Sequence, residues 1–279
     1  MDEKHSGYDL KAPGSSGDSL HLPGRGGFPR VDDHLVVPEI TRDEIIAGRR
    51  VVASPAKEPH ATQHTQLDYV VRAHIAPGYL VAADLLTRHG EKSDFATDVC
   101  AYKEGIDPQT GARHLEEIAF EIVSEQREGN VTEKAVAMHR RGVRRIFAIF
   151  VKGPRLCEWS SESQSWSPLE AGSWIEDRCL VTPLAVAPLL DAALADNAVA
   201  DALIAKGNPT IMNRVATAEA RGKTAGRAES ILKVLEARAV PVSPAQREEI
   251  LRCSDPDRLD RWLTRAALAS SANEITSET

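Results

Sequence analysis

Apolar residues recur along this chain at two periods, and the places where each prevails set the expected elements. Leu67, Val70, Val71 and Ile75 fall at helical spacing, so Thr65 to Ile75 is expected to be an amphipathic helix stopping near Pro77-Gly78. Upstream, Thr41 with Glu44 three residues on has the form of a capping box. It predicts a short helix ended by Gly48, then a strand over Arg50 to Ala53, with Pro55 and Pro59 punctuating a loop. Ala96 to Lys103 is short and rich in strand formers, and GIDPQTGARH after it carries the residues of a hairpin turn. EIAFEIVS (117–124) and RIFAIFV (145–151) are nearly continuous apolar runs, as in strands covered on both faces. Between them VTEKAVAMHRR reads as a helix capped at Thr132 and stopped at Gly142, so the three elements form a parallel crossover unit. RLCEWSS and SWSPL are expected as edge strands anchored by Trp159 and Trp166. From about residue 196 the pattern is helical: a long Ala-, Arg- and Glu-rich helix over 210–238, then two helices with proline in the first turn behind Ser243 and Asp255.

Length and composition fit a soluble globular chain of one or two domains: 279 residues, 42% hydrophobic and 27% charged. Residues 1–30 hold six Gly, three Pro and four Ser, which is the composition of a disordered tail, assigned to 1–37. No secretory leader and no membrane-length apolar run is visible, so no membrane partner is expected. Cys100, Cys157, Cys179 and Cys253 stand far apart, which argues for free thiols in a reducing cytoplasm. The net charge of −7 excludes nucleic-acid binding through bulk positive charge. The average hides an uneven distribution, because Arg127 to Arg155 carries eight basic residues against two acidic ones, a local charge of +6.

Glu121 is the residue that asks for chemistry. A carboxylate inside so apolar a run needs a partner or a cation. The hairpin through 104–114 would bring Asp98 beside it, and two carboxylates on adjacent strands suit a hard ion such as Mg²⁺. Such an ion polarises a phosphodiester and activates water. Salt-bridged strand-end acids are the plainer alternative. His60 and His64 form an HxxxH that could bind zinc, with capping and packing as the simpler role.

These residues resemble a known family. Asp98, a hairpin, Glu121-Ile122-Val123-Ser124, then Lys134 with Gly142-Val143 eight and nine positions on and an apolar strand behind, look like the Uma-type restriction endonuclease family of the PD-(D/E)XK nuclease superfamily. The likeness spans about residues 41–190. It implies a restriction-endonuclease-like α/β fold, with a mixed β-sheet core flanked by helices over 38–195. It also implies a metal-dependent endonuclease that hydrolyses DNA. Asp98, Glu121 and the backbone carbonyl of Ile122 would hold Mg²⁺, with Mn²⁺ as a substitute, and Lys134 would orient or deprotonate the attacking water. Lys134 stands in for the lysine two residues after the Glu, where this chain has Val123. The Pro that usually precedes the Asp is Thr97, the aromatic four residues after the lysine is Met138, and Arg145-Ile146-Phe147 replaces an acid-Tyr-Trp run. Ser124 and His64 match supporting positions, and Glu44 and Asp84 are the acids available upstream for a third ligand.

The basic patch would place Arg140, Arg141, Arg144 and Arg145 on the DNA backbone, in salt-sensitive contact. A nuclease fold that lost its chemistry and binds nucleic acid or protein is the alternative reading. The helical module at 196–279 resembles, more weakly, tails of transposase-associated PD-(D/E)XK proteins. It is expected to self-associate, as in a homodimer, or to dock onto the nuclease-like part.

Overall fold

The computed structural model describes residues 42–53, 56–124 and 128–277. The N-terminal tail, the Thr41 cap and Arg127 lie outside the described residues. The architecture is mixed α/β, a large mixed sheet flanked by helices, as the sequence pattern implies. In chain order its strands and first helices are β1 (Arg42–Ile46), β2 (Arg49–Ala53), α1 (Glu58–His74), β3 (Tyr79–Gly90), β4 (Ser93–Lys103), β5 (Glu116–Val123), α2 (Glu128–Arg141), β6 (Arg145–Phe150), β7 (Arg155–Ser160) and β8 (Ser165–Leu169). A short pair, β9 (Trp174–Ile175) and β10 (Leu184–Ala185), leads into α3 (Ala187–Leu190), α4 (Ala195–Ala205), α5 (Pro209–Ala237), α6 (Pro244–Arg252), α7 (Pro256–Ala266) and α8 (Asn273–Thr276). The large sheet runs β2-β1-β4-β5-β6-β7-β8, with β3 also paired to β4.

The crossover unit is as expected in order and direction, with β5 and β6 parallel and joined by α2, but α2 begins at Glu128, so Thr132 lies inside the helix, where it accepts from Trp166 Nε1 at 3.1 Å, and does not cap it. Both apolar runs are covered twice. Ile118, Phe120, Ile122, Phe147 and Ile149 pack into the core under α1. Ala119 and Ile146 meet Ala135 and Met138 of α2 on the other face, and Val123, Ala148 and Phe150 surround Val131. Side chains alternate across a strand, so Glu121, flanked by Phe120 and Ile122, faces α2. Trp159 and Trp166 meet edge-on across β7 and β8, with ring centroids 5.2 Å apart. β7 lies inside the sheet between β6 and β8, leaving β8 as the edge strand of that pair.

Three further differences separate the structure from the sequence pattern. Residues 42–46 form a strand, not a helix: Ala47 and Gly48 both take positive φ (50° and 81°), the conformation of a two-residue hairpin turn, so Gly48 closes a β1–β2 turn instead of ending a helix. Helix α1 starts at Glu58, earlier than Thr65, with Pro59 in its first turn, where a missing N–H breaks no bond. His60 and His64 are therefore both inside the helix. The third is β3, a strand the sequence pattern did not suggest, which pairs with β4 along its length.

Helices α5 to α8 close a separate apolar cluster around Ile231, Leu235, Ile250, Leu259 and Trp262. Ser243 and Gln246 form a full capping box, and Asp255 caps α7, as their Ser-Pro and Asp-Pro starts suggest. All four cysteines are free thiols, with Cys100, Cys157 and Cys179 buried. Among the described residues no helix is long and apolar enough to cross a membrane.

Candidate active site

The site forms where β4 and β5 part. Their ladder begins at Tyr102↔Glu116 and ends at Val99↔Phe120, so Asp98 and Glu121 stand at its open end. The Asp98 carboxylate turns to β5 and accepts the Ile122 N–H at 2.6 Å. A strand residue's N–H and C=O leave the same edge, so the Ile122 carbonyl faces the Asp98 side as well. Glu121 turns to α2. There Lys134 Nζ, itself buried, donates to Glu121 (3.3 Å), to Glu44 of β1 (3.0 Å) and to the Ala96 carbonyl (3.1 Å). Glu44 also accepts the Ala96 N–H at 3.1 Å, fastening β1 to β4. Glu44 thus belongs to the lysine and not to the Asp98 group. Thr97 and Met138 are fully buried against each other behind this triad.

Burial pushes the Glu121 carboxyl up to about 8; Lys134 opposes the rise, and Asp98 and Glu44 add to it. Burial alone would lower the Lys134 ammonium, but Glu121, Glu44 and Asp98 outweigh it and hold the ammonium charged. A lysine so held donates hydrogen bonds and positive charge, and does not serve as a base at neutral pH.

On the other side of Asp98 stands a second group. His64, Asp84 and Asp98 bring one ligand atom each within 4.8 Å of one another. Asp84 comes from β3, where it holds a left-handed φ of 50° opposite the parting strands. Non-glycine residues rarely take that conformation inside a strand, and such strain concentrates at functional positions. His60 lies one helical turn before His64, its Nε2 3.8 Å from Asp98 Oδ1. Sequence reasoning missed Asp68, whose Oδ2 lies 3.1 Å from His64 Nδ1; its position four residues after a histidine on a helix was the available signal. The donor set, one imidazole and two carboxylates with a further imidazole and the Ile122 carbonyl nearby, fits a divalent cation.

A cavity of about 280 Å³ is lined by Lys57, Pro59, His60, Ser124, Val151 and Lys152, so Ser124 and His60 face one space. Arg140 and Arg141 are exposed in the last turn of α2. Arg144 instead forks onto Asp177, both bonds 2.7 Å, and reaches Glu117. Arg145 forks onto Glu158 at 2.6 and 2.8 Å and lies over the Phe147 ring. The +6 stretch is therefore partly neutralised by acids brought in from β5, β7 and the segment after β9.

No family model matches this chain, and no curated relative matches it. Among solved structures, one described as a "putative nuclease belonging to DUF820" from Anabaena variabilis is similar over 53% of this chain and 89% of its own length, with a TM-score of 0.46 and 13% identity.

Proposed function

We propose that this chain is a metal-dependent endonuclease that hydrolyses DNA phosphodiester bonds. The observation that carries this reading is the pairing of a buried Lys134–Glu121–Glu44 triad with a His64–Asp84–Asp98 donor group at the open end of one strand pair. Mg²⁺ or Mn²⁺ held by Asp98 with Asp84 and the Ile122 carbonyl would supply Lewis acidity to a phosphoryl oxygen and to water. Lys134 and Glu121 would act on the water: the ammonium would orient it and face the negative charge that grows on the phosphoryl oxygens, and Glu121, once ionised above its raised pKa, would accept its proton. Asp98 is held in place by the Ile122 N–H, and the buried apolar walls on both sides keep these charges strongly coupled. Arg140, Arg141 and Lys152 contact the backbone phosphates, which makes binding fall with salt. Asp98→Ala and Glu121→Ala should each abolish Mg²⁺-dependent cleavage of duplex DNA while leaving circular dichroism unchanged; undiminished cleavage refutes the assignment.

The ion pairs of Arg144 and Arg145 favour a second reading, a nuclease fold that binds without cutting, since they remove two cations from a DNA-facing surface. Titration with Mg²⁺ and Mn²⁺ separates the two readings, because the silent form shows no saturable binding lost with Asp98→Ala.

A further inference from the structure

The histidine in the donor group has a feature that an ordinary helix-surface ion pair lacks. His64 Nδ1 is fixed by Asp68 Oδ2 at 3.1 Å, which leaves Nε2 as the outward nitrogen. That nitrogen is buried and has no hydrogen-bond partner among the described residues. It lies 3.9 Å from Asp84 Oδ1, too far for a hydrogen bond. Two donors sharing one cation at about 2.1–2.2 Å sit at most about 4.4 Å apart, so this gap is one an ion can bridge. A carboxylate on one ring nitrogen with the other aimed at a group of anionic oxygens is how proteins orient a metal-binding histidine. Asp68 is then the orienting residue, and its place one turn after His64 fixes the ring on the side facing β3 and β4.

We propose that His64 is an inner ligand of the cation at this site, oriented by Asp68, and that it biases the site toward first-row transition ions such as Mn²⁺ over Mg²⁺. The chemical reason is ligand type: Mg²⁺ takes oxygen donors and gives up water reluctantly, whereas imidazole suits the transition ions. The inference rests on reading this group as a cation site and goes beyond it by naming the ligand that sets ion choice. His60, whose Nε2 faces the opposite oxygen of Asp98 from the one held by Ile122, is left outside the inner set.

Calorimetric titration of the intact chain with MnCl₂ and with MgCl₂, together with electron spin-echo spectroscopy of the Mn²⁺-loaded protein, tests this. The wild type is expected to bind Mn²⁺ at least about 10-fold more tightly than Mg²⁺ and to show nitrogen coupling from a coordinated imidazole. His64→Ala should remove that coupling and most of the preference, and His60→Ala should retain both. Asp68→Asn should weaken Mn²⁺ about 10-fold and Mg²⁺ much less, because it acts through the ring. Absence of nitrogen coupling in the wild type, or an unchanged Mn²⁺-to-Mg²⁺ ratio in His64→Ala, overturns the inference. If DNA is still cleaved in that case, the nuclease reading stands without it; if neither ion binds and nothing is cleaved, both readings fall.

Discussion

Lys134 shows how one buried side chain can serve stability and chemistry together. Its ammonium neutralises part of a charge group that includes Glu44 and Glu121, all three of them largely buried. Replacing it with the similarly sized apolar Met would leave two buried carboxylates facing each other, a change that costs about 3–5 kcal/mol. The Glu121 carboxyl, already raised by burial, would take up a proton to limit the cost. A carboxyl whose folded pKa lies above its unfolded value binds more protons in the folded state, so stability falls as pH rises. Lys134→Met should therefore unfold at lower urea than the wild type, with a deficit that widens between pH 6 and pH 9, and Lys134→Met/Glu121→Gln should recover much of it while cleavage stays lost. An equal urea midpoint for wild type and single variant would show that the triad is not coupled in this way. Asp84 poses the opposite balance, since its left-handed φ of 50° is strained for a residue with a Cβ. Asp84→Gly should stabilise the fold by about 1 kcal/mol in urea unfolding while weakening Mn²⁺ binding at least about 10-fold. Unaltered Mn²⁺ affinity in that variant would remove Asp84 from the ligand set.

The elements legible in the sequence are those whose burial is uniform. β5, α2 and β6 were readable because both faces of each strand are covered, which turns the whole run apolar, and because Val131, Ala135 and Met138 mark one helix face around the buried Lys134. β3 was not, because its exposure alternates only in its second half: residues 79–82 are uniformly half-buried, residues 83 and 84 are both exposed, and the apolar Leu86 is 60% exposed. β1 was misread for a different reason. A glycine with positive φ ends a helix and closes a two-residue hairpin equally well, and Glu44, which resembled a helix cap partner, is a strand residue reaching Lys134. In the site, Glu121 stood out as an acid inside an apolar run, Asp98 through the hairpin before it and Lys134 only through the resemblance, whereas the His64–Asp68 pair and its approach to Asp84 depend on how α1 lies against β3, a long-range contact with no local pattern. Arg144 and Arg145 looked like a DNA-binding surface because Asp177 and Glu158, which hold them, lie 33 and 13 residues away. Burial would raise the Asp177 carboxyl, but the Arg144 fork and the Cys179 N–H outweigh it and hold it near 2. The sign follows from the depressed value: Asp177 stabilises the fold above the ordinary carboxylate range, and that contribution fades as pH falls from about 4 toward 2. Asp177→Asn should lower stability near neutrality and flatten its dependence on pH over that window in acid-unfolding titrations; a slope matching the wild type would contradict the assignment.

For the whole molecule, the sheet core and the distal helices draw on separate apolar clusters, and the point of separation lies later than composition alone would put it. The turn to an all-helical pattern near residue 196 coincides with the start of α4, yet Val199 and Ala202 are buried in the same cluster as Val70, Val71 and Phe147. Polar contacts tie the same helix to α1, with Tyr69 donating to Asp196 at 3.1 Å and Lys206 donating to the Arg72 carbonyl at 3.1 Å. The distal cluster begins only at Ala228, and the first half of α5 before it is largely exposed. α4 is thus a cover for α1, the helix that carries His60 and His64, and removing it should loosen the site as well as the core. A chain ending after Gly207 should unfold cooperatively, retain Mn²⁺ binding and stay within about 1 kcal/mol of the intact protein's sheet-core transition, because the separate distal cluster contributes little to it. A chain ending after Ala195 exposes the apolar face of α1 left by Val199 and Ala202, with a loss on the order of 3 kcal/mol, and its divalent affinity should fall with it. Comparing the two truncations by urea unfolding and Mn²⁺ titration decides the matter: equal stability and equal affinity would place α4 with the distal helices, and a deficit confined to the shorter chain would make it part of the body that holds the site.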